Sequence, residues 1–580
     1  MGKRDLNLPT RPWYRSPFSR NDPPASAPDT PASGPIVFRD RAARTFRLAV
    51  DSHLHAQQGC LRFQAYGNIA LHALVFTFHD ADGAILHQVA PRHPRGWDDS
   101  SFGQLRKWTP ILLAEYLLRQ LLGKTTETVL DVPPCCLANS TLSVSIRHNG
   151  HFPAVVGKLT LNTSTLAPRR TVQNQHAIEG YSDQVSVFAG APMTLFVHAP
   201  ERHFSLEVSR HGGQVEPVLR SGEIPGKRQD YAADAYAQGA GWEPATTLRT
   251  GTDWRSGLYA ARISDRSGAA FDITFVVKKA PSAAPARLAV LASTNTWQAY
   301  NPWGGASLYR YDLDDGLRKP NVSMLHMLRP NPAAAMSGTE GHLANAEHHV
   351  LGWLECNAIE YDLYADTDLH RDPSLLRQYR TLLINTHSEY WTERMYAGLE
   401  DFLAAGGNLV YLSGNGLYWK TAICGHKLEV RCDSGNHSLR DEAGGRWRDY
   451  GRPETRVLGV RCTRAGYKAQ YKPYRVLSPE HWVFDGTGLA RGDLVGERGL
   501  NYGGASGLET DKIDWRHRPA GLVHLAKGTN KGRSGADMTY FTHAGGGGVF
   551  SVGSITFGGS LAVDPVLTRM LLNVFARFLR

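Results

Sequence analysis

"RTLLINTHSEYWTERMYAGLEDFLAAGGNLVYLSGNG", residues 380–416, contains one complete strand–helix–strand unit. The runs "TLLIN" and "NLVYLS" are short and almost wholly apolar, as strands covered on both faces are. Between them, "TERMYAGLEDFLAAGG" is amphipathic, starts at Thr392 as N-cap and ends on glycine. Two such strands joined through a helix predict a parallel pair. The pattern repeats outward: "RLAVLAS" (287–293) and "AIEYDLYAD" (358–366) read as strands, "LANAEHHVLGWLECN" (343–357) and "SLLRQY" (374–379) as helices. Residues 281–580 are therefore expected to form an α/β domain with a doubly wound parallel sheet, which "LVHLAKG", "MTYFTHAGGGGVFSVGSITFGG" and the terminal "DPVLTRMLLNVFARFLR" complete.

The chain ahead of this domain has a different period. Runs such as "QVSVFAGAPMTLFVHA", "FSLEVSRHGG" and "FDITFVVKK" alternate at spacings that suggest an immunoglobulin-like β-sandwich over residues 168–280, closed by the linker "APSAAPA". Residues 36–167 read as a β-rich module with one helix, "FGQLRKWTPILLAEYLLRQLLGK", and with "DADG" as a hairpin turn. Residues 1–35 read as a disordered Pro-rich arm.

Composition narrows the function classes. The 580 residues carry a formal net charge of +10, but Lys and Arg are spread along the chain without a basic stripe, which argues against a nucleic-acid partner. No apolar run reaches a membrane span, and the N-terminus has no apolar segment of a secretion signal. The seven cysteines show neither metal spacing nor disulfide density. A cytoplasmic protein with reduced thiols and no membrane association is expected.

Functional groups in an open parallel sheet gather beyond the carboxyl ends of the strands. That rule selects Tyr300, Tyr309 and Tyr311 after the first strand and Asp366, Asp368 and His370 after the second. It selects His387 and Glu389 after the third, and Ser413 and Asn415 after the fourth. The fourth strand offers no cysteine nucleophile, and "YLSGNG" is not a G-x-S-x-G elbow, so Ser413 is read as shaping its turn. "ADTDLH" is read as a helix N-cap. The aromatic loop "TNTWQAYNPWGGASLYRYD" (294–312) leaves three readings open: core packing, a platform for a sugar or base, and phenol oxygens around a hard cation such as ferric iron.

Several segments in order resemble the large (beta) subunit of the N,N-dimethylformamidase family over roughly residues 175–580. They are "EGYSDQVSVFAGAPMTLFVHA", "TNTWQAYN", "GGASLY", "EYDLYADTDLH", "LLINTHSEYWT", "FLAAGGNLVYLSGNGLYW", "GASGLETDKID" and "GGGVFSVGSITF". The resemblance implies a sandwich ahead of a class I glutamine amidotransferase-like domain, and a mononuclear iron, expected to be ferric, held by two tyrosines and a glutamate. By position those ligands are Tyr300, Tyr309 and Glu389, with Tyr311 competing for the second place because the loop between the tyrosines is shorter here. His387, Asn415 and Glu509 match the family's catalytic positions. The implied activity is hydrolysis of the C–N bond of a small non-peptide amide by metal-activated water. The implied partners are a small amide substrate, further copies of the chain in a homo-oligomer and an accessory small subunit, which residues 36–167 do not resemble. The competing function is a non-catalytic or carbohydrate-binding protein with a degenerate α/β domain.

Overall fold

Residues 380–416 form the predicted unit. Thr381–Thr386 and Asn408–Ser413 pair in parallel, and between them Glu393–Ala404 starts where the Thr392 side chain accepts from the Met395 N–H. The computed structural model describes strands within residues 36–163, and residues 171–580 apart from 310–321, 339–340 and parts of 433–441. The expected arm 1–35, the helix in 102–124, the "DADG" turn and Tyr311 lie outside the described residues.

The main sheet is built from β1 (Leu288–Ala292), β2 (Asp362–Ala365), β3 (Thr381–Thr386), β4 (Asn408–Ser413), β5 (Tyr474–Val476), β6 (Leu494–Val495), β7 (Val523–Gly528), β8 (Asp537–Thr542) and β9 (Gly548–Ser551). Its spatial order is β2-β1-β3-β4-β9-β8-β7-β5-β6. The first five strands in that order are parallel, and the remaining pairings are antiparallel. The expectation of a parallel sheet thus holds for one half only. In the other half, β8 and β9 are joined by a short glycine-rich turn, too short for the crossover that parallel strands need.

Alternation along the parallel strands decides what covers each face. Leu288, Val290 and Ala292 of β1, with Leu383, Val410 and Phe550, face one core that also takes α2 (Ala344–Cys356) and the terminal helix Pro565–Phe578. Ala289, Leu291, Leu382, Ile384 and Leu409 face a second core, against Met395, Tyr396, Leu399 and Phe402 of the helix Glu393–Ala404. Helices therefore pack on both faces, and polar side chains can collect only at the strand ends.

Ahead of this sheet the elements among the described residues are strands, apart from the short helix Ala235–Gln238. Strands within 36–163 form two antiparallel four-stranded sheets. Between Glu179 and Lys278, a sheet ordered Glu179–Ser182, Pro192–His198, Thr246–Arg249 shares one apolar core with a larger sheet centred on Gly257–Asp265, including Leu195, Val208, Ile263 and Phe275. Ser186 Oγ (2.8 Å) and Lys278 Nζ (2.6 Å) of this pair of sheets both reach Asp368 Oδ1. No helix among the described residues is long and apolar enough to cross a membrane.

Candidate functional site

The loop after β1 begins as α1 (Thr294–Tyr300), which leaves Tyr300 at its last turn. The chain then turns at Gly304 and Gly305, whose φ of +77° and +102° belong to glycine. A Cβ on Gly304 would sit 2.7 Å from the Tyr236 backbone nitrogen, so this turn is pressed against the short helix Ala235–Gln238. Trp303 anchors it there, donating from Nε1 to Glu179 Oε2 at 2.8 Å. The returning chain lays the Tyr309 ring on Tyr300, with centroids 4.0 Å apart and planes within 25°.

The end of β3 supplies the groups these phenols meet. Tyr309 donates its hydroxyl hydrogen to Glu389 Oε2 at 2.8 Å. His387 Nε2 lies 3.4 Å from Glu389 Oε2 and 3.5 Å from Glu509 Oε2, while its Nδ1 has no hydrogen-bond partner among the described residues. Five of the six predicted residues, Tyr300, Tyr309, His387, Glu389 and Glu509, are thereby brought into one cluster. Asn415 sits in the fully buried loop after β4 with φ +53°, and both ends of its side-chain amide lack a hydrogen-bond partner among the described residues.

The electrostatics follow from crowding acids in a dry place. Burial, then the Glu389 charge, holds the Tyr309 phenol well above its ordinary range. Glu389 is itself raised, first by burial and also by Glu509. For His387 burial works downward, but Glu389 and Glu509 outweigh it and hold the imidazole at about 9. The His387 ring thus lies between Glu389 and Glu509.

Other predicted strand-end groups have structural roles. Asp368, the third residue of its helix, accepts from the Ala365 N–H at 3.0 Å, so "ADTDLH" opens the helix through a bond back to its N-cap rather than through an N-cap side chain, and His370 meets Thr392 Oγ1 at 2.8 Å. Ser413 Oγ accepts from the Ser388 N–H at 3.1 Å and so shapes the turn. Trp297 and Trp303 are buried in the core. Two residues were not selected from sequence. Tyr390 shares a short hydroxyl–hydroxyl hydrogen bond with Tyr309, and Asp511 bonds the Asn415 loop. Adjacency to Glu389 was the only available signal for Tyr390, and Asp511 had none.

The donor chemistry can be tested against iron. Among the described residues no group of three or more His, Cys, Asp or Glu is suited to a metal, so an ion here would need phenol oxygens. Tyr309 and Glu389 present two such hard donors 2.8 Å apart, and Tyr300, Glu389 and Tyr390 each raise the proton affinity of Tyr309. Mutually repelling oxygen acids of this kind fit a highly charged hard cation.

A polar cluster at the carboxyl edge of the parallel half of a helix-covered mixed sheet defines a site-bearing, β-rich multidomain protein. A family model described as N,N-dimethylformamidase beta subunit-like, C-terminal, matches residues 205–569, more than half of the chain, and the chain belongs to this family. It is 31% identical over 283 residues to the N,N-dimethylformamidase beta subunit of Paracoccus aminophilus, and 30% identical over 283 residues to that of Alcaligenes sp. Each match covers 40% of this chain and 37% of the relative's own length. Among solved structures, a beta-1,2-glucanase from Parabacteroides distasonis aligns at 9% identity over 52% of this chain and 39% of that one. Its TM-score of 0.13 carries no argument for fold or for sugar chemistry.

Proposed function

We propose that this chain is a hydrolase that cleaves the C–N bond of a small non-peptide amide, with mononuclear ferric iron held by Tyr300, Tyr309 and Glu389. The observation that carries this reading is the contiguous set Tyr309–Glu389–His387–Glu509, linked at 2.8, 3.4 and 3.5 Å. The same reading takes the sheet of residues 281–580 as class I glutamine amidotransferase-like and residues 168–280 as immunoglobulin-like, behind the β-rich module 36–167. It takes the working enzyme as a homo-oligomer with an accessory small subunit, and the "beta subunit" in the relatives' names supports the second of these.

When bound, the iron would supply Lewis acidity, polarising the amide carbonyl and making water a better acid. Glu509 takes the proton of the attacking water as a C–O bond forms. His387, 3.5 Å away, orients Glu509 while it holds that proton and helps pass it to the amine nitrogen as the C–N bond breaks. An amine leaves readily only once protonated, so this return is as necessary as the first abstraction. Asn415 donates to the oxyanion as charge develops, a contribution of about 3 kcal/mol in comparable sites. The products are a carboxylic acid and an amine.

The test combines metal analysis with an activity screen over small formamides, acetamides and amino-acid amides, reading amine release. Stoichiometric iron, a phenolate-to-iron absorption band and chelator-sensitive amine release are expected. Protein that binds no stoichiometric iron and releases no amine would overturn the reading.

A further inference from the structure

The loop "SGNG", residues 413–416, is held by contacts that its role as a strand-end turn does not require. A Cβ on Gly414 would fall 2.1 Å from the Glu509 carbonyl oxygen, and one on Gly416 would fall 2.5 Å from the Tyr411 hydroxyl. The loop is therefore flush against the backbone of Glu509 on one side and a core phenol on the other. Between these glycines Asn415 is left-handed, and Leu417 follows at φ +52°, a conformation that side-chain-bearing residues avoid unless neighbours hold them in it.

The holding group is a single carboxylate. Asp511, fully buried, accepts the Asn415 N–H on Oδ1 at 2.9 Å and the Tyr411 hydroxyl on Oδ2 at 2.7 Å. The Tyr411 oxygen in turn accepts the Gly416 N–H at 2.7 Å. Asp511 thus fixes the backbone on both sides of the Asn415 α-carbon, once directly and once through Tyr411. Its own position is set by its N–H on the Gly553 carbonyl at 2.8 Å, and it lies two residues beyond Glu509.

We infer that Asp511 is a positioning residue for amide hydrolysis, locking the 415–416 backbone through its carboxylate and Tyr411 so that the Asn415 side chain is pre-set for the reacting carbonyl. This rests on the proposed function and adds to it a residue outside the six assigned to metal and chemistry. A buried amide with both ends unpaired is costly to hold, and a device that holds it in a strained backbone accounts for that cost through preorganisation.

The experiment uses the iron-loaded full chain and compares Asp511→Ala, Asn415→Ala and the double variant with wild type, reading kcat, KM, iron content and thermal midpoint. Asp511→Ala is expected to lower kcat by roughly 10- to 100-fold with iron content and KM unchanged. The double variant is expected to be no slower than Asn415→Ala alone, because Asp511 acts through Asn415. Asp511→Asn, which keeps an acceptor for the Asn415 N–H, should recover part of the loss. If Asp511→Ala fails to fold, Tyr411→Phe, which removes the relay alone, should show a smaller kcat loss that again vanishes in the Asn415→Ala background. Full kcat in Asp511→Ala, losses that multiply in the double variant, or loss of iron would overturn the inference while leaving the hydrolase reading intact. Absence of amine release from iron-loaded wild type would instead remove the reading itself.

Discussion

Two buried polar networks in this molecule use the same residue types and differ in one respect. In the preceding sheets, Glu179 accepts Asn174 Nδ2 and Trp303 Nε1, both at 2.8 Å, and Asn174 Oδ1 accepts the His176 N–H at 3.0 Å. His198 has a partner on each ring nitrogen, accepting from the Gln229 N–H at 3.0 Å and donating to the His176 carbonyl at 3.2 Å. At the end of the main sheet, His387 and Asn415 are equally buried, yet His387 Nδ1 and both ends of the Asn415 amide have no hydrogen-bond partner among the described residues. The first network is closed and its atoms do structural work for one another. The second is open, and an open buried network persists in a folded protein when something else completes it.

The largest expected effect breaks the open network at its proposed ligand. Glu389→Ala should abolish iron retention and bring amine release to background; full iron occupancy in that variant would show the ligand set to be wrong. Next comes Asn415→Ala, which should lower kcat by 10²- to 10³-fold, a barrier increase on the order of 3 kcal/mol, with thermal stability unchanged or raised because an unsatisfied amide is removed. A large drop in thermal midpoint would place Asn415 with the closed type.

Glu347 is an intermediate case and gives a pH test. Its Oε1 accepts from Trp297 Nε1 at 2.9 Å and from the Ser293 N–H at 3.1 Å, while Oε2 has no hydrogen-bond partner among the described residues. Burial raises this carboxyl from the ordinary 4.5 to about 8, so as pH rises the unfolded chain releases its proton first. Stability should therefore fall between about pH 5 and 8 by an amount on the order of 4 kcal/mol, and Glu347→Gln, a neutral isostere, should flatten that fall in denaturant titrations. An unchanged slope would mean the carboxyl is ionised in the folded state. Asn174→Ala gives the smallest effect, a stability loss of about 1–2 kcal/mol with kcat of the folded enzyme retained. It is the counterpart of Asn415→Ala, and the two should trade places between the stability and kinetic assays.

The parts legible in the sequence are those whose cause is local. Apolar runs bounded by a Thr392 cap and a glycine stop identified the parallel unit, and the strand-end rule located His387, Glu389 and Asn415. The antiparallel half was missed because "MTYFTHAGGGGVFSVG" has the composition of buried strands in either sense, and only the short turn fixes the direction. Tyr309 and Glu389 are 80 positions apart, and their pairing as ligands came from a resemblance; spacing had left the aromatic loop open among three readings. Asp511 was invisible for the same reason: its two side-chain partners lie 96 and 100 positions away, and neither an aspartate nor a tyrosine in an apolar strand announces such a bond.

The anchoring of Trp303 on Glu179 has a consequence for how this protein can be divided. The turn that carries the chain from Tyr300 to Tyr309 is braced from outside the main sheet, with the Trp303 ring against Tyr231 and Trp242 at centroid distances of 4.7 and 5.6 Å. Residues 281–580 cut out as a fragment would keep every proposed donor but lose the wall that sets the distance between two of them. For anyone transplanting or shortening this scaffold, the sheets around Glu179 belong with the cluster they brace.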